Sequence, residues 1–106
     1  MNWSARILPQ ARKDLEDIAV YIAEENLQAA MRFLDSAETT INKLADYPHR
    51  GKLFQTDNKK LSDIRWVPVA GFPFHLIFYQ TTQAQIIVIR VIHGGRDLPT
   101  ILDDDL

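Results

Sequence analysis

Two strongly apolar runs late in the chain set the limits on how it can fold. Residues 72–79 (FPFHLIFY) are apolar apart from His75, and residues 84–92 are mostly Ile and Val, with Arg90 as their only charged residue. Runs of this kind predict strands that are buried on both faces, or on one face beneath a helix. Arg90 must therefore reach an edge, a partner or a cleft, because an unpaired buried charge is costly.

The first half of the chain has helical periodicity instead. Residues 3–8 alternate enough for a short strand, and Pro9 suits the first turn of a helix. Residues 10–25 and 27–46 carry apolar side chains every three or four positions, and Asn26 is a suitable N-cap between them. The residues expected to face solvent on the first helix are Arg12, Lys13, Asp14, Glu16 and Asp17. Two helices with so short a linker predict an antiparallel hairpin.

The order of these elements indicates an α+β fold. Residues 50–60 are polar and predict a connecting loop, and residues 61–69 predict a further strand. Residues 98–102 could form one short helical turn. The prediction is one domain over residues 1–106, with an acidic tail at 103–106. It comprises an N-terminal strand, a two-helix hairpin and a three-stranded antiparallel sheet, β-α-α-β-β-β. The pairing direction of the first strand stays open.

Composition excludes several classes of function. No apolar stretch approaches the roughly 20 residues of a membrane helix, and no signal layout is present, so we expect a cytoplasmic protein. The chain has no cysteine, and His49, His75 and His93 lack metal-site spacing, so no metal and no cofactor is predicted. Without Asp103–Asp105 the chain has 11 acidic residues and 12 Lys and Arg residues. Direct nucleic-acid binding is not expected from so small a basic excess.

One set of polar residues could carry chemistry, and it lies on and after the predicted strands. The candidates are Arg65, Arg90, His93 and Arg96. Arginine forks bind phosphate or carboxylate, and histidine transfers protons near neutral pH, so the set could bind and cleave a phosphodiester. The structural alternative is that Arg90 and Arg96 pair with Asp63, Asp97 or a helix C-terminus and hold the sheet to its neighbours.

Six stretches, in this order and spacing, carry a resemblance to a known family. They are residues 11–22 (ARKDLEDIAVYI), 26–34 (NLQAAMRFL), 44–51 (LADYPHRG), 64–65 (IR), 72–79 (FPFHLIFY) and 90–98 (RVIHGGRDL). With them the chain resembles the RelE/ParE superfamily of toxins from type II toxin–antitoxin systems, and is most similar to the ParE branch. The ending RVIHGGRDL is the most specific stretch. The family fold that this implies agrees with the prediction above.

The resemblance implies a toxin that a cognate antitoxin neutralises, as a homodimer or as a heterotetramer with that antitoxin. The ParE branch implies that the target is DNA gyrase, which is inhibited or poisoned, and that the toxin is not itself an enzyme. The RelE branch implies a ribosome-dependent mRNA endonuclease instead. A third reading is an inactive antitoxin-binding module. The near-neutral charge and the HGGRD ending favour the gyrase-directed toxin.

Large aromatic side chains are the candidates for antitoxin contact, since such residues act as interface anchors. These are Trp3, Phe54 and Trp66. The partner is expected to lay an amphipathic helix and an extended segment across the hairpin groove and the exposed sheet. For each of the three aromatics, packing within the chain's own core is the alternative.

Overall fold

A mixed sheet with a helical hairpin on one face forms the domain. The structure is a computed structural model, and it describes residues 3–94. Its elements are β1 (Ser4–Ile7), α1 (Pro9–Ala23), α2 (Leu27–Asp46), β2 (Lys52–Leu53), a 3-10 helix (Lys59–Leu61), β3 (Arg65–Val69), β4 (Phe72–Thr82) and β5 (Gln85–His93). The predicted α+β class is confirmed. Residue Arg96, the predicted turn at 98–102 and the acidic tail lie outside the described residues.

The sheet has five strands in the order β1-β5-β4-β3-β2. The strands β2 to β5 pair antiparallel with their neighbours, whereas β1 pairs parallel to β5. The pairing direction of β1, which the sequence left open, is therefore parallel. The two-residue strand β2 lies in the segment that was predicted to be a loop. It was not predicted because two residues are too few to show the alternation that indicates a strand.

Local signals place both helices. Pro9 begins α1, and the side chain of Asn26 caps α2 by accepting the backbone N–H of Ala29 at 3.0 Å. The bounds of α2 match the prediction, and α1 ends two residues earlier than predicted. The strand β3 begins at Arg65 rather than at residue 61, because the 3-10 helix occupies the chain just before it. No helix in the described part of the chain is long and apolar enough to cross a membrane.

Both faces of the sheet are covered, as the apolar runs predict. The residues buried between the sheet and the helices include Phe33, Ala37, Ile41, Leu44, Val67, Ile77, Tyr79, Val88 and Val91. A second cluster on the other face holds Leu61, Ile64, Phe78, Ile89 and Ile92. Burying one large apolar side chain stabilises the fold by about 1.5–3 kcal/mol. The two strands β4 and β5 contribute to both clusters, so they form the centre of the domain.

Candidate functional site

Arg90 forms a buried ion pair with Asp14 of α1. Its Nε atom donates to one carboxylate oxygen at 2.7 Å, and its Nη2 atom donates to the other at 3.1 Å. The carboxylate also accepts the backbone N–H of Val91 at 3.0 Å and the side-chain amide of Gln10 at 3.0 Å. The side chains of Arg90 and Asp14 are only 13% and 9% exposed. The pair therefore ties the first helix to the last strand of the sheet.

The prediction that Asp14 faces solvent is wrong. Asp14 lies three residues after Ala11 and four before Ile18, which both pack in the core, so it belongs to the buried face of α1. Its charge is tolerated there because Arg90 and two further donors satisfy it. The predicted partner Asp63 instead accepts the side-chain amide of Gln80 at 3.2 Å.

Arg65 and Tyr79 hold the loop between α2 and β2 against the sheet. The Nη1 atom of Arg65 donates to the carbonyl oxygen of Gly51 at 2.8 Å and to that of His49 at 3.3 Å. The hydroxyl of Tyr79, wholly buried, donates to the carbonyl oxygen of Pro48 at 3.0 Å and accepts the N–H of Gly51 at 2.8 Å. Burial raises the pKa of Tyr79, although the bond from Gly51 and the charge of Arg65 oppose the rise.

Gly51 is required by this arrangement because the ring of Tyr79 leaves no room for a side chain. A Cβ atom there would lie 2.6 Å from the Tyr79 hydroxyl oxygen and 2.9 Å from the carbonyl oxygen of Trp66. Distances that short are not tolerated without movement of the ring or the backbone. The loop, the glycine and the tyrosine therefore form one packed unit.

His93 pairs with a second histidine at the far end of the β4–β5 ladder. It lies directly opposite His75, and the two rings are 5.4 Å apart in an edge-to-face arrangement. The ring of Phe74 stacks on His93 at 6.2 Å, and Phe33 packs against His75 at 5.2 Å. Burial, followed by the charge of His93, lowers the pKa of His75.

The three described candidates do not meet in one place. Arg65 lies opposite Tyr79 on β4 and His93 lies opposite His75, four residues or about 13 Å away along the strand. Arg65 bonds to backbone carbonyl oxygens and Arg90 to a carboxylate. No group of three or more His, Asp or Glu side chains that could hold a metal ion occurs within residues 3–94. The contacts of Arg65 and Arg90 are those of residues that hold parts of the fold together.

The aromatic candidates for antitoxin contact are all half-buried. Trp3 packs against the helix-side core and meets the ring of His49 edge-on at 6.0 Å. Phe54 and Trp66 pack against the second cluster, where Phe54 meets the ring of Phe78 at 5.8 Å. Each ring thus has contacts within this chain.

Two surfaces that were not predicted from the sequence lie on either side of α2. The first, the α2 stripe, consists of Leu27, Met31 and Leu34, which are 65%, 59% and 42% exposed. Their spacing of four and three residues places them on one face of the helix. Leu34 also lines a cavity of about 420 Å³ between α2 and β1. In the sequence, Leu27, Met31 and Leu34 repeat at helical spacing outside the core positions, and this repeat could have indicated the surface.

The second surface, the basic cleft, has a volume of about 460 Å³ and lies between the second half of α2 and the edge formed by β2 and β3. Its walls include Thr39, Thr40, Lys43, Arg50, Lys52 and Trp66. Arg50 and Lys52 belong to the segment 50–60 that was predicted to be a connecting loop. The tertiary structure brings two of them next to Lys43 of the helix.

Comparison with known proteins found one matching family model and several solved structures with a similar fold. A family model described as the ParE toxin of the type II toxin–antitoxin system, parDE, matches residues 5–98. Among solved structures, the chromosomal ParDE toxin–antitoxin system from P. aeruginosa superposes with a TM-score of 0.68 at 14% identity, covering 86% of this chain and 95% of that one. The toxin–antitoxin complex RelBE2 from Mycobacterium tuberculosis superposes with a TM-score of 0.57 at 20% identity, covering 88% and 99%. No curated protein gave a significant match.

The helical hairpin on a mixed five-stranded sheet is the fold shared with these two structures. The match over residues 5–98 identifies the chain as a member of the ParE toxin family of type II toxin–antitoxin systems, within the RelE/ParE superfamily. ParE toxins pair with a cognate antitoxin. The predicted family is confirmed.

Proposed function

We propose that this ParE toxin acts in the cytoplasm by inhibiting or poisoning DNA gyrase and that a cognate antitoxin neutralises it. The choice of gyrase over the ribosome rests on the contacts of Arg65 and Arg90, since both side chains bind groups within this chain. Arg90 is engaged by Asp14, and Arg65 by the carbonyl oxygens of His49 and Gly51. A ribosomal nuclease needs such cations to hold the RNA backbone and to offset charge in the transition state.

A supercoiling assay tests this proposal. Purified toxin is added to gyrase, ATP and relaxed plasmid, and both the loss of supercoiling and the accumulation of cleaved plasmid are measured. Inhibition that is relieved by the cognate antitoxin supports the proposal. A parallel assay measures mRNA cleavage on translating ribosomes. Cleavage there without any effect on gyrase contradicts the proposal and favours the nuclease. Antitoxin binding with neither activity favours the inactive module.

The antitoxin is proposed to cover the α2 stripe with an amphipathic helix. Leu27, Met31 and Leu34 present apolar surface that a partner helix can bury, and the neighbouring cavity beside β1 extends it. Burial of each large side chain is worth about 1.5–3 kcal/mol. The half-buried Trp3 packs against the core on the helix side of the sheet, and it is also proposed to contact the antitoxin.

Paired variants test this surface. Leu27→Gln with Met31→Gln preserves helix propensity while removing apolar area, and we expect antitoxin affinity to fall by roughly a hundredfold. Leu53→Gln is the control, since Leu53 is 46% exposed on the distant strand β2. Calorimetry gives both affinities. Equal affinities of the two variants contradict this placement of the antitoxin.

A further inference from the structure

The basic cleft is lined by cations that form no ion pair with an acid within residues 3–94. Lys43, Arg50 and Lys52 are all exposed at its rim. The ion pairs present within residues 3–94, Lys13 with Asp17 and Arg90 with Asp14, lie elsewhere. None of the described residues that line the cleft carries a carboxylate. Three cations from separate elements therefore converge on one concavity, and an anionic occupant would complement them.

The interior of the cleft is apolar rather than charged. Leu44 of α2 and Val67 of β3 form part of its lining and are themselves almost wholly buried. Trp66 of β3 also contributes to the lining, although its half-buried indole packs against the cluster on the other face of the sheet, with its ring centre 5.8 Å from the Nζ atom of Lys52. An occupant must therefore combine acidic groups at the rim with apolar groups inside.

These features favour a protein segment over nucleic acid. Proteins that hold DNA through its backbone commonly make about 6–10 phosphate contacts. The cleft has three cations, and the whole chain has a formal net charge of −2. A volume of about 460 Å³ accommodates a few side chains. An acidic peptide segment with one or two apolar residues matches this size and charge.

The cleft is also separate from the α2 stripe. Leu34 and Lys43 are nine residues apart, which at 100° per residue places them on opposite sides of the helix. They are also about 13 Å apart along its axis. A partner helix on the stripe would leave the cleft uncovered.

We propose that the basic cleft binds an acidic, apolar-containing segment of the toxin's target protein. The inference rests on the proposed function, because it assigns to the target a surface that the antitoxin helix does not use. The contact combines charge attraction at the rim with burial of an apolar side chain against the apolar lining of the cleft. Its strength should therefore fall as ionic strength rises.

A matched pair of charge-reversed toxins tests the cleft. Lys43→Glu with Lys52→Glu reverses two rim charges, and Lys59→Glu with Lys60→Glu makes the same net change on the exposed 3-10 helix away from the cleft. We expect the cleft variant to need at least about tenfold more toxin for half-inhibition of gyrase supercoiling, because like charges then face each other. The control should stay within about twofold. Both variants should melt and bind antitoxin as the wild type does.

Three results would overturn the inference. One is equal inhibition by the cleft and control variants. Another is a selective loss of antitoxin affinity in the cleft variant, which would assign the cleft to the antitoxin. The third comes from a photo-crosslinking residue placed at Thr39 on the rim: adducts with plasmid DNA, rather than with an acidic segment of a gyrase subunit, would show a nucleic-acid site.

The same variants separate this inference from the proposed function. If wild-type toxin arrests growth but leaves gyrase unaffected, the choice of gyrase fails, and the variant pair is then scored by growth arrest. Loss of arrest in the cleft variant alone supports the cleft with a different target, and equal arrest overturns it. Wild-type toxin that neither inhibits gyrase nor arrests growth overturns both proposals.

Discussion

Replacing Asp14 should destabilise the domain more than replacing any other acid on α1. Asp14→Asn removes the charge opposite Arg90 and turns an amide donor toward the donors that now surround the carboxylate. Removing one partner of a buried ion pair costs about 3–5 kcal/mol. The guanidinium retains some access to water, at 13% exposure, and asparagine keeps one acceptor, so we expect about 3 kcal/mol.

The control lies one turn further along the same helix. Asp17 pairs with Lys13 at 3.1 Å, but these side chains are 64% and 65% exposed. Exposed pairs of this kind contribute about 0.5 kcal/mol or less. Urea unfolding of Asp14→Asn and Asp17→Asn therefore compares one substitution in two environments. Similar losses from the two variants, or a loss below about 1 kcal/mol for Asp14→Asn, would refute the reasoning.

A double variant separates the charge from the hydrogen bonds. Asp14→Leu with Arg90→Met replaces the ion pair by apolar side chains, which is often neutral in other proteins. The backbone N–H of Val91 then loses its acceptor, so a smaller loss of about 1–2 kcal/mol should remain. Complete recovery would show that the bond to Val91 contributes nothing. A loss equal to that of Asp14→Asn would show that the unpaired charge is not the dominant effect.

Two further predictions concern Tyr79 and His75 of β4. Tyr79→Phe should cost about 1–3 kcal/mol in urea unfolding, because the buried N–H of Gly51 and the carbonyl oxygen of Pro48 lose their partner; an unchanged midpoint would contradict this. The lowered pKa of His75 means that the unfolded chain binds a proton more readily below about 6.5, so stability should fall as the pH drops from about 7 through the folded pKa. His75→Gln should flatten that part of the profile, and parallel profiles for the two proteins would refute the assignment.

Much of the fold follows from local patterns. The bounds of α2 and its Asn26 cap agree with the sequence prediction, and so do the two apolar strands of the centre. Each of these depends on residues a few positions apart, whose spacing or capping chemistry is visible in the chain itself. The α+β class follows in turn from the order of the elements.

The candidate site was less predictable because its contacts join distant residues. Arg90 was expected to need a partner, but that partner is Asp14, 76 positions away on a helix where it was expected to face solvent. Arg65 lies on a strand as predicted, whereas His93, predicted to follow the last strand, is the final residue of β5. Their neighbours place them about 13 Å apart along β4. The basic cleft depends on a helix and two strands meeting, which no local pattern specifies.

The amino-acid sequence by itself determined the two helices of this ParE toxin, its strands other than β2, the order of these elements and the family to which the chain belongs. Periodicity, capping and the six family stretches are properties of neighbouring residues or of spacing along the chain. The tertiary structure decided the parallel pairing of β1 with β5, the burial of Asp14 and the positions of the α2 stripe and basic cleft. These depend on which surfaces meet after folding, since burial and electrostatic energy are determined by neighbours in space rather than in sequence.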